Sequence, residues 1–256
     1  MGTITFVKII ILSAGQGRRL LPLTAGRPKC GVDIAGRSLL EWQLGEIARC
    51  DVDEVVVISG FHADVVDELV EGFTALPVRT LHNPFYDASD NLGTCWVARH
   101  EMQEPFIILN GDTLFEAAIL QKLLATPVDA PITLVTNCKD SYDEDDMKVV
   151  VKDDWLQRVG KRLELDVVTG ESIGMMAFRG QGPRLFGDEI EALMRTDQGL
   201  KLWYLSAIDD LAQAGYVNVC NIHPLSWCEV DDRADLDNAA TVVTSWRGPA
   251  SLVAVD

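Results

Sequence analysis

A chain of 256 residues with 48% apolar and 24% charged side chains has the balance of a globular protein and the length for a sizeable core, which excludes disordered and fibrous classes. Its formal charge of −17 repels polyanions and excludes non-specific binding to DNA, RNA or anionic lipid, so no nucleic acid or membrane partner is expected. The early apolar run at 9–12 is far shorter than the roughly 18–20 residues of a membrane span, no signal-peptide cleavage pattern follows it, and the six cysteines contain no CxxC pair; a cytoplasmic protein with reduced thiols is expected.

In chain order, residues 6–12 read as a strand, followed by a glycine-rich turn. Leu40, Leu44 and Ile47 recur at helical spacing, 54–59 is a second strand, and 62–73 places Val65, Val66, Leu69 and Val70 on one helical face. Strands follow at 106–109 and 132–136. Residues 138–172 then break the rhythm with an acidic stretch at 140–146 and alternating segments around Trp155 and Leu163, which read as a hairpin insertion lying over the sheet, with a strand at 148–151. Further strands are expected at 173–178, 217–222 and 227–230, and helices at 183–195, 202–214 and 234–245. The tail at 247–256 reads as a last strand or a frayed end. This alternation predicts an α/β fold, a mainly parallel Rossmann-like sheet with helices on both faces and a small β-hairpin insertion, organised as one domain over 1–256.

Charge is unevenly spread. Residues 1–37 hold six Lys or Arg and one acid, Asp33, for a net of +5 in an otherwise acidic chain. Most of these cations lie in or near the turn Leu12-Ser13-Ala14-Gly15-Gln16-Gly17-Arg18-Arg19-Leu20, followed by Pro28-Lys29. Small residues let backbone N–H groups approach a phosphate, and the arginines and lysine neutralise its charge. A dinucleotide-binding turn would need glycine where Leu20 stands, and a P-loop would need Lys-Ser/Thr where Arg18-Arg19 stand. Both readings fail, and a triphosphate cradle remains.

With these residues the chain resembles the nucleotidyltransferases that activate sugar phosphates and alcohol phosphates, whose turn reads Leu-x-x-Gly-x-Gly-Thr/Ser-Arg-Leu before Pro-Lys. Arg18 departs from the Thr/Ser of that pattern. The resemblance spans almost the whole chain and is closest to the choline-phosphate and inositol-phosphate type cytidylyltransferases, through Asp90-Asn91, Met147-Lys148-Val149, Gly160-Lys161 with residues 170–174, and 227–231. It implies the nucleotide-diphospho-sugar transferase-like fold. It also implies catalytic roles for Arg19 and Lys29 on the phosphates, and nucleotide contacts at Leu12, Ala14, Gly15, Gln16, Gly17, Arg18, Asn91, Thr94 and Gly111.

Asp112 follows the strand at 106–109 through Asn110-Gly111, and Asp231 ends the short strand at 227–230, so each stands where open α/β sheets bind ligands, provided both strands share one sheet. Mg²⁺ prefers oxygen ligands and is usually held by one or two carboxylates with substrate phosphates, which suits this pair. The resemblance assigns the metal to the same two positions, with Glu229 nearby. It places Lys148 on the acceptor's phosphate or the α-phosphate. A quaternary-ammonium acceptor would need aromatic faces and a carboxylate, for which Trp203, other aromatics and Glu171 are available. A polyol acceptor would want acids and amides, and that choice stays open.

The expected partners are therefore an NTP, CTP in the first place, and a small phosphorylated or phosphonate acceptor, with a homo-oligomer left open. The expected reaction is Mg²⁺-dependent transfer of CMP with release of pyrophosphate. Alternatives are a hexose-1-phosphate nucleotidyltransferase using UTP, dTTP or GTP, and an inactive nucleotide-binding regulatory subunit.

Overall fold

The computed structural model describes residues 6–246, and the tail at 247–256 lies outside them. The first strand, β1 (Lys8–Leu12), shows why the chain layers as it does. Ile9, Ile10 and Ile11 are all buried, and alternation sends Ile9 and Ile11 to one face of the sheet and Ile10 to the other. Each such side chain contributes roughly 1.5–3 kcal/mol when removed from water. β-branched residues on both faces are the mark of a strand covered on both sides.

The short strands β2 (Asp33–Ile34) and β3 (Arg37–Ser38) form a hairpin leading into α1 (Leu39–Ile47), whose start is a capping box between Ser38 and Glu41. Then come β4 (Glu54–Ser59), α2 (Ala63–Glu71), β5 (Val78–His82), α3 (Asn91–Val97), β6 (Phe106–Asn110), β7 (Thr113–Phe115) and α4 (Ala117–Leu124). The second half holds β8 (Ile132–Asn137), β9 (Lys148–Lys152), β10 (Trp155–Gly160), β11 (Gly170–Phe178), α5 (Gly182–Met194), α6 (Leu205–Gln213), β12 (Val217–Asn221), β13 (Trp227–Glu229) and α7 (Arg233–Trp246).

Nine strands form the main sheet in the order β5-β4-β1-β6-β11-β8-β12-β10-β9. β5, β4, β1 and β6 are parallel, as are β8 and β12, while β11 runs antiparallel between β6 and β8. Leu40, Leu44, Val66 and Ile119 cover one face, and Leu92, Phe186 and Ile208 the other. A third cluster, including Leu20, Ile34, Trp42, Leu236 and Val243, lies under α7. The α/β reading with helices on both faces holds.

Three local readings change. The hairpin β9–β10 extends the far edge of the sheet instead of lying over it: β10 pairs with β12, and β9 also pairs with the start of β11. Its strands have backbone groups to satisfy, and the sheet supplies partners. The short strand before Asp231 is not in the main sheet, because β13 pairs antiparallel with β7. β5, α3 and α4 are elements that periodicity had not marked.

Candidate active site

The C-terminal ends of β1 and β6 are adjacent, with Leu12 opposite Asn110 in register. The glycine turn therefore leaves the sheet beside the Asn110-Gly111-Asp112 corner. That corner is fastened at several points. Gly111 N–H donates to the Leu12 carbonyl at 3.1 Å, and Gln43 Nε2 donates to the carbonyls of Asn110 (2.9 Å) and Thr113 (2.8 Å). Thr113 Oγ1 donates to the Ile173 carbonyl at 2.9 Å. Gly111 must be glycine, because a Cβ there would run into the Leu12 carbonyl and the Ser13 hydroxyl. Gln43 was not legible as a site residue; it is one buried amide on a helix face.

Asp231 reaches the same place by another route. Thr113 stands opposite Glu229 in the β7–β13 ribbon, and Val230 N–H donates to the Asp112 carbonyl at 3.1 Å. The three pairings of this ribbon and this bond put the two aspartates side by side. The two aspartates converge without the shared main sheet that the sequence makes a condition, because β13 pairs with β7 and not with the main sheet.

Lys29 stands between them, its Nζ 2.8 Å from Asp112 Oδ2 and 2.5 Å from Asp231 Oδ1. Burial alone would lower the Lys29 pKa, yet the two carboxylates outweigh it and hold the ammonium above its ordinary value. Burial acts to raise Asp231, but Lys29, Arg19 and Lys161 hold its carboxyl below the usual range. Glu229 has the opposite fate: burial, then the charges of Asp112 and Asp231, push it up to about 8.

A cleft of about 310 Å³ opens over this centre, lined by Leu12, Ser13, Gly15, Gly17, Arg18, Arg19, Lys29, Cys30, Gly111, Asp112 and Asp231. Nine of the expected site residues meet there, and Ser13 and Cys30 are additions. Nothing lies within 4 Å of where a Gly15 Cβ would stand, so the backbone there is open to a ligand. Arg19 Nη2 is 2.9 Å from Asp231 Oδ2, and its Nη1 is 3.3 Å from Asp145 Oδ2. Arg18 turns aside to Asp87 at 2.6 Å. Gln16 faces a neighbouring hollow lined also by Tyr86, Asp90, Leu200 and Lys201. Ala14 is buried, its carbonyl accepting from Phe61 N–H at 3.0 Å.

The remaining expected residues lie off the cleft. Asn91 Oδ1 accepts from Tyr204 N–H at 2.9 Å, and Thr94 Oγ1 accepts from Asn83 Nδ2 at 3.1 Å, so both side chains serve the packing of α3. Lys148 is buried, with Nζ donating to the carbonyls of Lys161 (2.9 Å) and Asp146 (3.4 Å). Glu171 is buried against Lys139 at 2.8 Å. Burial, helped by Asp146, raises its pKa against the pull of Lys139. Trp203 is 40% exposed, and its ring lies 4.8 Å from Lys161 Nζ. Lys161, part of the Gly160-Lys161 segment that carries the resemblance but given no role by it, also reaches Asp145 at 3.2 Å and stands as a further cation at the rim. A lysine closing a strand looks like any solvated lysine.

Does the centre fit Mg²⁺? Asp112 Oδ1 is buried without a hydrogen-bond partner, an acceptor whose lone pairs nothing in the fold uses. Among the described residues no three His, Cys, Asp or Glu side chains form a cage. A pair of aspartates lining one cleft is the donor set Mg²⁺ takes when substrate phosphates and water complete its shell. The residues fit.

A family model described as the MobA-like NTP transferase domain matches residues 9–204. The CMP-5'-(3-aminopropyl)phosphonate synthase of Streptomyces rubellomurinus is 29% identical over 237 residues, covering 90% of this chain, which spans only 37% of that protein's length. The CTP:phosphoglutamine cytidylyltransferase of Campylobacter jejuni is 22% identical over 251 residues, covering 89% of this chain and 97% of its own. Among solved structures, the inositol-1-phosphate CTP transferase from T. maritima superposes with a TM-score of 0.80 at 17% identity, covering 96% of this chain and 98% of its own. The CTP:phosphocholine cytidylyltransferase from Streptococcus pneumoniae superposes with a TM-score of 0.72 at 20% identity, covering 93% and 99%. At these identities the superpositions establish the fold.

Proposed function

The chain belongs to the MobA-like NTP transferase domain family, and on that premise we propose that it transfers CMP from CTP to a small phosphorylated or phosphonate acceptor, dependent on Mg²⁺. The observation that carries this reading is Lys29 held between Asp112 and Asp231 beneath the Gly15–Gly17 turn, with Lys29 and Asp231 202 residues apart in sequence. The relatives named for CTP or CMP chemistry on phosphonate and phosphoglutamine substrates support the choice of base and acceptor class.

In this reaction a phosphate or phosphonate oxygen of the acceptor forms a bond to the α-phosphorus. The bond from that phosphorus to the α,β-bridging oxygen breaks, and pyrophosphate leaves with its electron pair. No covalent enzyme intermediate is needed, so catalysis rests on positioning and on charge neutralisation. The Gly15–Gly17 backbone comes close to the phosphates, and Arg19 and Lys29 offset charge that builds on the leaving group. Asp112 and Asp231 would hold Mg²⁺, which when bound polarises phosphoryl oxygens as a Lewis acid. Lys29, already fixed between these carboxylates, is oriented before substrate arrives.

The test is a matrix of CTP, UTP, GTP and dTTP against choline phosphate, inositol 1-phosphate, aminoethylphosphonate and glucose 1-phosphate, with and without Mg²⁺, read as pyrophosphate release. Turnover is expected with CTP and an alcohol phosphate or phosphonate, lost without Mg²⁺ and lost in Asp112→Ala. Turnover confined to glucose 1-phosphate, or none in any combination, would overturn the reading.

A further inference from the structure

Resting on that reading, we infer that Asp145 is a displaceable occupant of the place a substrate phosphate takes, and so tunes how tightly that phosphate binds. Its carboxylate spans two cations, with Oδ2 3.3 Å from Arg19 Nη1 and Oδ1 3.2 Å from Lys161 Nζ. Two oxygens shared between a guanidinium and an ammonium are the contacts a phosphate makes with the same groups. The position is also right, since the other arm of Arg19 lies 2.9 Å from Asp231. The cations Asp145 occupies thus stand at the rim of the cleft.

The loop backbone around Asp145 is anchored, so its carboxylate can leave the two cations without moving the chain. Asp143 Oδ1 accepts from the N–H groups of Asp145 (2.9 Å) and Asp146 (3.1 Å), and Asp146 Oδ2 accepts from Asp143 N–H at 2.7 Å. Asp146 Oδ1 is paired with Lys139 at 2.7 Å, and Lys139 with Glu171 at 2.8 Å. Buried Lys148 pins the carbonyls of both Asp146 and Lys161, so the two segments that face each other across Asp145 are held by one ammonium. Lys161 is steadied from its other side by the Trp203 ring. Asp145 itself is 72% exposed at its side chain.

Exposed ion pairs are weak, each worth no more than about a fivefold factor in an equilibrium constant. A phosphate dianion brings more charge and more acceptor oxygens than one carboxylate, and takes both cations from Asp145. Until then Asp145 neutralises a patch that would otherwise attract any small anion in solution. This gives an unusual sign: removing an acid beside the site tightens binding instead of impairing the site.

The experiment is calorimetric titration of the full chain with CTP plus Mg²⁺ and, separately, with inorganic phosphate, in wild type, Asp145→Asn and Glu144→Gln. Glu144 is exposed on the same loop, so its variant removes the same charge from the region without touching the Arg19–Lys161 bridge. Asp145→Asn is expected to bind at least one probe about three- to tenfold tighter, with Glu144→Gln within about twofold of wild type. Tightening of CTP identifies the nucleotide's own phosphates as the displacing group, and tightening of inorganic phosphate without tightening of CTP identifies the acceptor's. If wild type binds and Asp145→Asn binds no tighter, or if both variants tighten equally, the inference falls and the proposed function stands. If wild type binds neither probe, the functional reading fails and takes the inference with it.

Discussion

Gly17 and Lys29 are packed against each other, and a Cβ placed on Gly17 would meet the Lys29 Cβ and Cγ at 2.9 Å. Gly17 also holds φ at 70°, in the left-handed region that glycine tolerates best. Its carbonyl accepts from Thr24 Oγ1 at 2.9 Å and from Leu20 N–H at 3.0 Å, so the turn has little freedom to move away. The second glycine of the motif is thus a wall for the lysine stem as well as a turn former.

Gly17→Ala is therefore expected to act in two ways. Left-handed strain costs roughly 1–2 kcal/mol, seen as a melting-temperature fall of about 2–8 °C in a chain of this size. The methyl group also pushes the Lys29 stem, so turnover should fall by about tenfold or more, since a shift near 1 Å can cost far more than that in a positioned site. Loss of stability with unchanged turnover would show that Lys29 does not depend on this contact.

Lys29→Met leaves Asp112 and Asp231 facing each other without the cation that holds them. Both side chains are 28% exposed, which puts the cost below that of a fully buried pair, at about 2 kcal/mol. Turnover should be abolished. Mg²⁺ should raise the melting temperature of Lys29→Met more than that of wild type, because a divalent cation relieves the same repulsion. Equal shifts in the two proteins, measured by differential scanning fluorimetry with and without EDTA, would count against a metal at these carboxylates.

Some of this architecture was readable and some was not, for physical reasons. Ile9–Ile11 and Val55–Ile58 announce strands because β-branched residues on both faces have few other uses. The glycine turn is local, so the cluster of Gly15, Gly17, Arg19 and Lys29 that lines the cleft can be read from spacing within a short stretch of sequence. β5 could not, because an edge strand with partly exposed side chains shows no clean alternation. The place of Asp231 depends on β13 pairing with β7 across more than a hundred residues, and nothing within 227–230 encodes its partner. For Lys148 the surroundings are not written in the residue type, since lysine buried on two carbonyls and lysine exposed to a phosphate look alike in sequence.

Asn91 offers a way to separate packing from recognition. Its Oδ1 accepts from Tyr204 N–H, joining α3 to the start of α6, while Tyr204 Oη donates to Asn110 Oδ1 at 2.8 Å beside the Asp112 corner. Asn91→Ala should lower stability by about 1 kcal/mol, the usual net worth of such a bond. The KM for CTP should change by less than about threefold, and kcat should fall modestly through Tyr204. A large rise in KM with unchanged stability would return Asn91 to the nucleotide-contacting role the resemblance implies.

Far from the cleft, the start of the sheet is fastened by a charge cluster whose response to acid has a definite sign. Glu101 accepts from Arg79 at 3.0 and 2.6 Å and from Lys8 at 2.9 Å. Arg79 first, then Lys8, outweigh burial and hold its carboxyl down at about 2. A carboxylate depressed in the folded state stabilises the protein above its unfolded pKa, and that contribution is lost as pH falls from about 4.5 towards 2. Because the cluster is partly solvated, its worth is about 1 kcal/mol and not the full value of the shift. Glu101→Gln should therefore melt a few degrees lower than wild type at pH 6 and converge with it near pH 2, with turnover at pH 7.5 unchanged. Melting curves that stay parallel across this range would show that the cluster does not contribute to acid stability.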